Sequence, residues 1–193
     1  MSPLDDRHQL MMPDGSTFLV VESARSSDGE RIVFEITMAP HAMKPPRHLH
    51  PAQEESWTVV EGELSVQVEN GWRSIAAGES LSIPPGTVHT LGNRSHNTVR
   101  FHDTHVPALD FQQYIEDLDR LAASGCLTSR MTPRTLIYGS MALVDHRPMQ
   151  LSASALQRAI ESLLATLGRA LGYRLPATPP RAGDSHTGDE GGG

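Results

Sequence analysis

The sequence predicts an all-β sandwich or barrel over roughly its first hundred residues, followed by a helical extension. Three observations predict it. Short apolar runs before residue 107 alternate with period 2, the mark of strands with one buried face. Turn residues separate them at short intervals, as in sandwiches and barrels. After Val106-Pro107 the apolar spacing becomes helical.

Thr17–Glu22 is a β-branched run, and Ser26-Ser27-Asp28-Gly29 is a turn cluster. Ile32, Phe34, Ile36 and Met38 alternate with polar neighbours, as do Leu64, Val66 and Val68. Asn70-Gly71 fits a type I′ hairpin, whose central residues both need positive φ. Trp72–Ile75 returns, Ala77-Gly78 turns again, and Leu81–Ile83 leads into Pro84-Pro85-Gly86. Phe111, Tyr114, Ile115, Leu118 and Leu121 then mark one helical face, with Gly125 as its stop. Pro133 fits the start of a second helix. Ser154 and Gln157 form a capping box before a stripe of Leu156, Ile160, Leu163, Leu164, Leu167 and Leu171, closed by Gly172 and Pro176. The expected organisation is an N-terminal arm (1–14), a barrel (15–107), a helical extension (108–175) and a disordered tail (176–193). The stripe is too apolar to face water alone, so it is expected to lie on the barrel or on a partner subunit.

The chain has 193 residues, long enough for one buried core. Its 23 acidic and 16 basic residues give a net charge of −7, a poor match for nucleic acid, whose backbone calls for Lys and Arg. Cys126 is the single cysteine, so no intrachain disulfide forms and a reducing cytoplasm is the expected location. MSPLDDRHQL lacks the apolar core of a signal peptide. The longest apolar run, near Thr135–Val144, falls short of the roughly 20 residues that span a bilayer.

Ten histidines are many for this length, and they cluster. His48 and His50 share one side of an extended strand, because side chains alternate. Glu55 follows four residues later, and His89 comes just after the Pro84–Gly86 turn. Three imidazoles and a carboxylate fill four positions of an octahedron and leave two for substrate, water or dioxygen. Such N/O ligation suits Fe(II), Mn(II), Ni(II), Cu(II) or Zn(II) without choosing among them.

His48-x-His50-x4-Glu55-x6-Gly62 resembles the first cupin motif, and Gly78-x5-Pro84-x-Gly86-x2-His89-x3-Asn93 resembles the second. One departure is Ala42, where the first motif usually opens on glycine. Gly62, Pro84, Gly86 and Asn93 read as scaffold of the turns. The resemblance, to bacterial single-barrel cupins such as the quercetin dioxygenase-like proteins, covers about residues 15–110. It implies a double-stranded β-helix (jelly-roll) barrel with His48, His50, Glu55 and His89 as metal ligands. It also implies a homodimer and a small-molecule substrate. The activity it points to first is an oxidoreductase of dioxygenase type, with Fe(II) favoured, acting on an enolizable or aromatic molecule. The alternatives are a redox-neutral isomerase, cyclase or lyase, and a non-catalytic small-molecule-binding cupin.

Parity sets the expected lining. If Glu55 points inward, so does Trp57, either as a cavity wall or as simple core. On the last barrel strand either parity turns one histidine inward, His102 or His105. Val99 and Phe101 share a face with Asp103 and His105, which favours that parity and His105 as the acid–base group; the alternative is that these residues form a solvated rim at the barrel mouth. His8, His41, His96, His146 and His186 are expected at the surface.

Overall fold

The computed structural model describes residues 9–42 and 45–176. Its strands are β1 (Gln9–Met11), β2 (Thr17–Glu22), β3 (Ile32–Met38), β4 (His48–Leu49), β5 (Glu54–Glu61), β6 (Glu63–Val68), β7 (Gly71–Ala76), β8 (Ser80–Ile83), β9 (His89–Gly92) and β10 (Val99–Val106). Helices α1 (Phe111–Ala123) and α2 (Pro133–Asp145) follow, then a short strand β11 (Leu151–Ser152) and helix α3 (Ala155–Ala170). The strands form two antiparallel sheets, ordered β1-β2-β3-β10-β5-β8 and β11-β4-β9-β6-β7.

Period-2 patterning decides what lies between the sheets. Along β3, Ile32, Phe34, Ile36 and Met38 are buried while the intervening residues are half exposed. β10 sits between β3 and β5 and buries Val99, Phe101, Asp103 and His105 on its inner face. Its register sets His105 opposite Glu55, Asp103 opposite Trp57 and Phe101 opposite Val59. Trp57, Phe34, Phe101, Ile32 and Leu64 fill the core. The burial of these three aromatic side chains and several aliphatic ones, at about 1.5–3 kcal/mol each, is the main stabilising term of the barrel.

Local details differ from the sequence reading in several places. The β6–β7 turn is centred on Glu69 and Asn70, with φ +50° at Glu69, and Gly71 already pairs with Val68. Gln9–Met11 of the expected arm adds an edge strand to β2. The tail expected to be disordered lies outside the described residues from 177 onward. Ser154 caps α3 through the Gln157 N–H, but the Gln157 side chain turns to Ser152 and Glu161 instead of closing the box.

Of the two places expected for the leucine stripe of α3, the barrel is not the one observed, since the helix buries Glu161, Ala165 and Gly168 instead. Leu156, Ile160, Leu163, Leu167 and Leu171 are exposed, and Leu164 is half buried. The reason is steric. The face with Ala165 and Gly168 lets α2 approach so closely that a Cβ at residue 168 would lie 2.5 Å from Ile137 Cγ2. Glu161 is drawn in by the Ser152 hydroxyl.

Candidate metal centre

His48 and His89 are cross-strand partners on β4 and β9, and His50 follows β4 by one residue. Glu55 reaches them from β5 in the opposite sheet. The four ligand atoms lie within 4.8 Å of one another, and all four residues are buried. Glu55 Oε2 is 2.7 Å from His89 Nε2 and 3.1 Å from His50 Nε2.

Each imidazole is fixed from behind. Nδ1 of His48 donates to the Pro46 carbonyl at 2.8 Å, Nδ1 of His50 to the Met149 carbonyl at 3.0 Å, and Nδ1 of His89 to the Thr87 carbonyl at 2.8 Å. An imidazole that is neutral with its proton on Nδ1 carries on Nε2 the lone pair a metal takes; burial lowers the His89 pKa, but the Glu55 carboxylate outweighs it and raises it. The atoms His50 Nε2, His89 Nε2 and Glu55 Oε2 are buried and, despite their short separations, make no aligned hydrogen bond. Converging lone pairs of this kind fit a cation, and backbone carbonyls behind ligand imidazoles are the usual outer support of a metal site. Burial, together with His89, pushes His48 down to about 3, so its imidazole is neutral. Burial alone would raise Glu55, but His105, His50 and His89 outweigh it and hold the carboxyl well below its usual range. The cluster is thus an anion facing imidazoles, and the residues fit a divalent ion.

His105 differs from these three histidines. It is fully buried, its Nε2 lies 3.4 Å from Asp103 Oδ2 and 3.9 Å from Glu55 Oε1, and its Nδ1 has no partner. No carbonyl fixes its tautomer, so it is not held as the ligand histidines are. Burial lowers its pKa, yet the Asp103 and Glu55 carboxylates outweigh burial and raise it. Asp103 is raised by burial and by Glu55, against the pull of His105. The two form a buried imidazole–carboxylate pair beside the ligand cluster. Phe111 stacks on the His105 ring with centroids 3.6 Å apart and meets the His50 ring edge-on at 5.8 Å.

Trp57 is buried with its ring 5.6 Å from that of His89, and its Nε1–H has no acceptor. His102 lies on the outer face of β10, 40% exposed, with Nε2 3.4 Å from Glu35 Oε2. It does not join the cluster; β10 can turn only one of His102 and His105 inward. His41 and His96 are exposed, and His8 and His186 lie outside the described residues. His146 corrects the surface expectation: it is buried between Asp110 and Asp117. Asn93 is scaffold, donating to the Met38, Ala39 and Asn97 carbonyls.

Sequence reasoning missed three contributors. Gln53, between two ligands, donates to the Pro107 and Ala108 carbonyls and ties the ligand loop to the end of β10. Phe111 read only as a helix-face residue. The Met149 carbonyl is backbone, and no residue type signals it.

Residues 34–105 match the Cupin domain family model. The match takes in most of β3, β4–β9 and nearly all of β10, which form the central strands of the two antiparallel sheets of a cupin jelly-roll; β1, β2, α1–α3 and β11 lie beyond it. No curated protein matches the chain. Among solved structures, the chain is similar to an uncharacterized conserved protein with a double-stranded beta-helix domain from Klebsiella pneumoniae (25% identity, 48% of this chain and 76% of that one, TM-score 0.42). It is also similar to a sugar phosphate isomerase from the cupin superfamily of Silicibacter pomeroyi (22%, 55% and 74%, TM-score 0.47) and to KdgF from Halomonas sp. (18%, 58% and 99%, TM-score 0.48).

Proposed function

We propose that the chain is a metal-dependent cupin enzyme acting on a small enolizable or aromatic molecule, an oxidoreductase of dioxygenase type in the first reading. One observation supports the metal dependence: three carbonyl-backed imidazoles and Glu55 bring four buried donor atoms within 4.8 Å of one another, with His50 Nε2, His89 Nε2 and Glu55 Oε2 unpartnered. An ion held by His48, His50, Glu55 and His89 supplies charge stabilisation for a substrate oxygen and, as Fe(II), one-electron chemistry with dioxygen. His105, with Asp103 behind it, receives the proton of an enolizable C–H or O–H. Trp57, Phe111 and Leu91 keep water from that proton.

The His105–Asp103 pair also favours a second reading. A buried base that can return the proton it takes suits a redox-neutral isomerisation, cyclisation or elimination. Metal analysis of protein purified without added metal, then an oxygen-electrode screen of enolizable compounds, separates the readings. Substrate-dependent oxygen uptake supports the dioxygenase; turnover without uptake supports the redox-neutral enzyme; ligand binding without turnover leaves a binding cupin. We further propose that the protein works as a cytoplasmic homodimer, joined through the exposed leucines of α3. Among the described residues no helix is long and apolar enough to cross a membrane.

A further inference from the structure

The helical extension reaches back into the metal centre. Leu151 and Ser152 of β11 pair with Leu49 and His48 of β4, so the strand that starts at a ligand is flanked by β9 on one side and by the extension on the other. Two residues before β11, the Met149 carbonyl accepts the Nδ1–H of His50. One residue after β11, Ala153 N–H donates to the Arg47 carbonyl. Five consecutive residues of the extension therefore border the two-histidine segment, and one of them orients a ligand ring.

That segment is itself anchored at one point. The Met149 and Gln150 N–H groups both donate to the His146 carbonyl, which closes the turn that presents the Met149 carbonyl. The His146 ring is gripped at both nitrogens: Nδ1 lies 2.7 Å from Asp110 Oδ2 and Nε2 lies 2.9 Å from Asp117 Oδ2. Asp110 stands at the N-terminal boundary of α1 with its carboxylate turned to His146, and Asp117 sits in the middle of the helix, so the ring fixes the end of α2 to α1 in two directions. Arg120 pairs with Asp117 from the far side, and the Tyr114 ring lies 5.4 Å from the His146 ring. No ligand of the centre touches His146.

We propose that His146 is a positioning residue of the metal centre: gripped by Asp110 and Asp117, it holds the Met149 carbonyl on His50 and so sets how tightly the site takes a divalent ion. A ligand imidazole that loses its carbonyl partner turns more freely and becomes a weaker donor, and loss of such outer partners typically costs about 10–100-fold in metal affinity. The extension is, on this view, a part of the site and not an appendage. The proposal rests on the metal-binding reading above.

The test is competition of Co(II) against a chromophoric chelator at low temperature, with the visible absorption of the bound Co(II) recorded, for the full chain and for His146→Ala. The parent chain binding no Co(II) would remove the metal-binding reading itself, and this proposal with it. With the parent binding one ion, the expected result is a Co(II) affinity about 10–100-fold weaker in His146→Ala and an altered Co(II) spectrum. A variant that melts earlier yet keeps the parent's affinity and spectrum would mean that His146 serves only the α1–α2 junction, and the proposal fails. Should His146→Ala not fold, Asp110→Asn decides: it leaves Asp117 on the ring and is expected to weaken Co(II) binding in the same direction by a smaller factor. Parent-like affinity and spectrum in that variant overturn the proposal.

Discussion

A histidine in this barrel is assigned less by being buried than by what stands behind its ring. His48, His50 and His89 each have a carbonyl on Nδ1, whereas His105 has none. Replacing any of the three with Ala, or Glu55 with Gln, removes one of four donors and is expected to cut metal content severely, as measured by elemental analysis. Unchanged content in any two of these variants sinks the assignment. His105→Ala is expected to retain the metal and to lower turnover about 10²–10⁴-fold, the usual range for a lost general base. His102, on the outer face beside Glu35, transfers no proton in this scheme, and His102→Ala is expected to leave turnover within about twofold of the parent. The four donors were legible because side chains alternate along a strand and because the residues lie close in sequence. The Met149 carbonyl was not legible, since every residue carries one. The burial of His146 is hidden in the sequence for a related reason: its two carboxylates stand about thirty residues earlier, and only the tertiary fold brings them to the ring.

Elements were read more securely than their orientations. β3 and β10 followed from alternation, and α1, α2 and α3 from helical spacing with their caps and stops. Which face of α3 turns inward could not be read from hydrophobicity, because close approach to α2 selects the small residues. Gly168→Ala tests this. Alanine gains about 1 kcal/mol in helix propensity over glycine, but overpacking against Ile137 and Met141 costs about 1–3 kcal/mol, so the variant is expected to melt earlier. A higher melting temperature would show that α2 and α3 are not pressed together there. Gly62 is a firmer case, with φ +81° and a Cβ that would meet the Thr98 carbonyl at 2.7 Å. The exposed stripe bears on assembly. Leu163→Glu, at a side chain 68% exposed, is expected to shift light-scattering mass from dimer to monomer without lowering the melting temperature of the monomer. A monomeric parent removes the dimer proposal outright.

At the scale of the whole molecule, charge buried between α1 and α2 links stability to pH. Burial lowers the pKa of His146, but Asp117 and Asp110 outweigh it, so the folded value lies above the ordinary 6.5. The stabilisation is complete below about 6.5 and is lost as pH rises through the folded value. Asp117 runs the other way: burial raises it, yet His146 and Arg120 bring it below the usual 3.8, so its contribution holds above that value and fades as pH falls through the folded one. Thermal melts of parent and His146→Gln are therefore expected to differ most at pH 5–6.5, a window set by the ordinary histidine value of about 6.5, and to converge in alkali. A gap that widens with pH would contradict the protonated ring. The same link between distant parts of the chain has a temporal consequence during synthesis. His48, His50, Glu55 and His89 leave the ribosome while Met149, sixty residues beyond His89, has yet to be made. On the proposed metal-binding reading, an ion that met the growing chain in that interval would find the donors without the carbonyl that orients His50, so the complete site forms only after Met149 has been made.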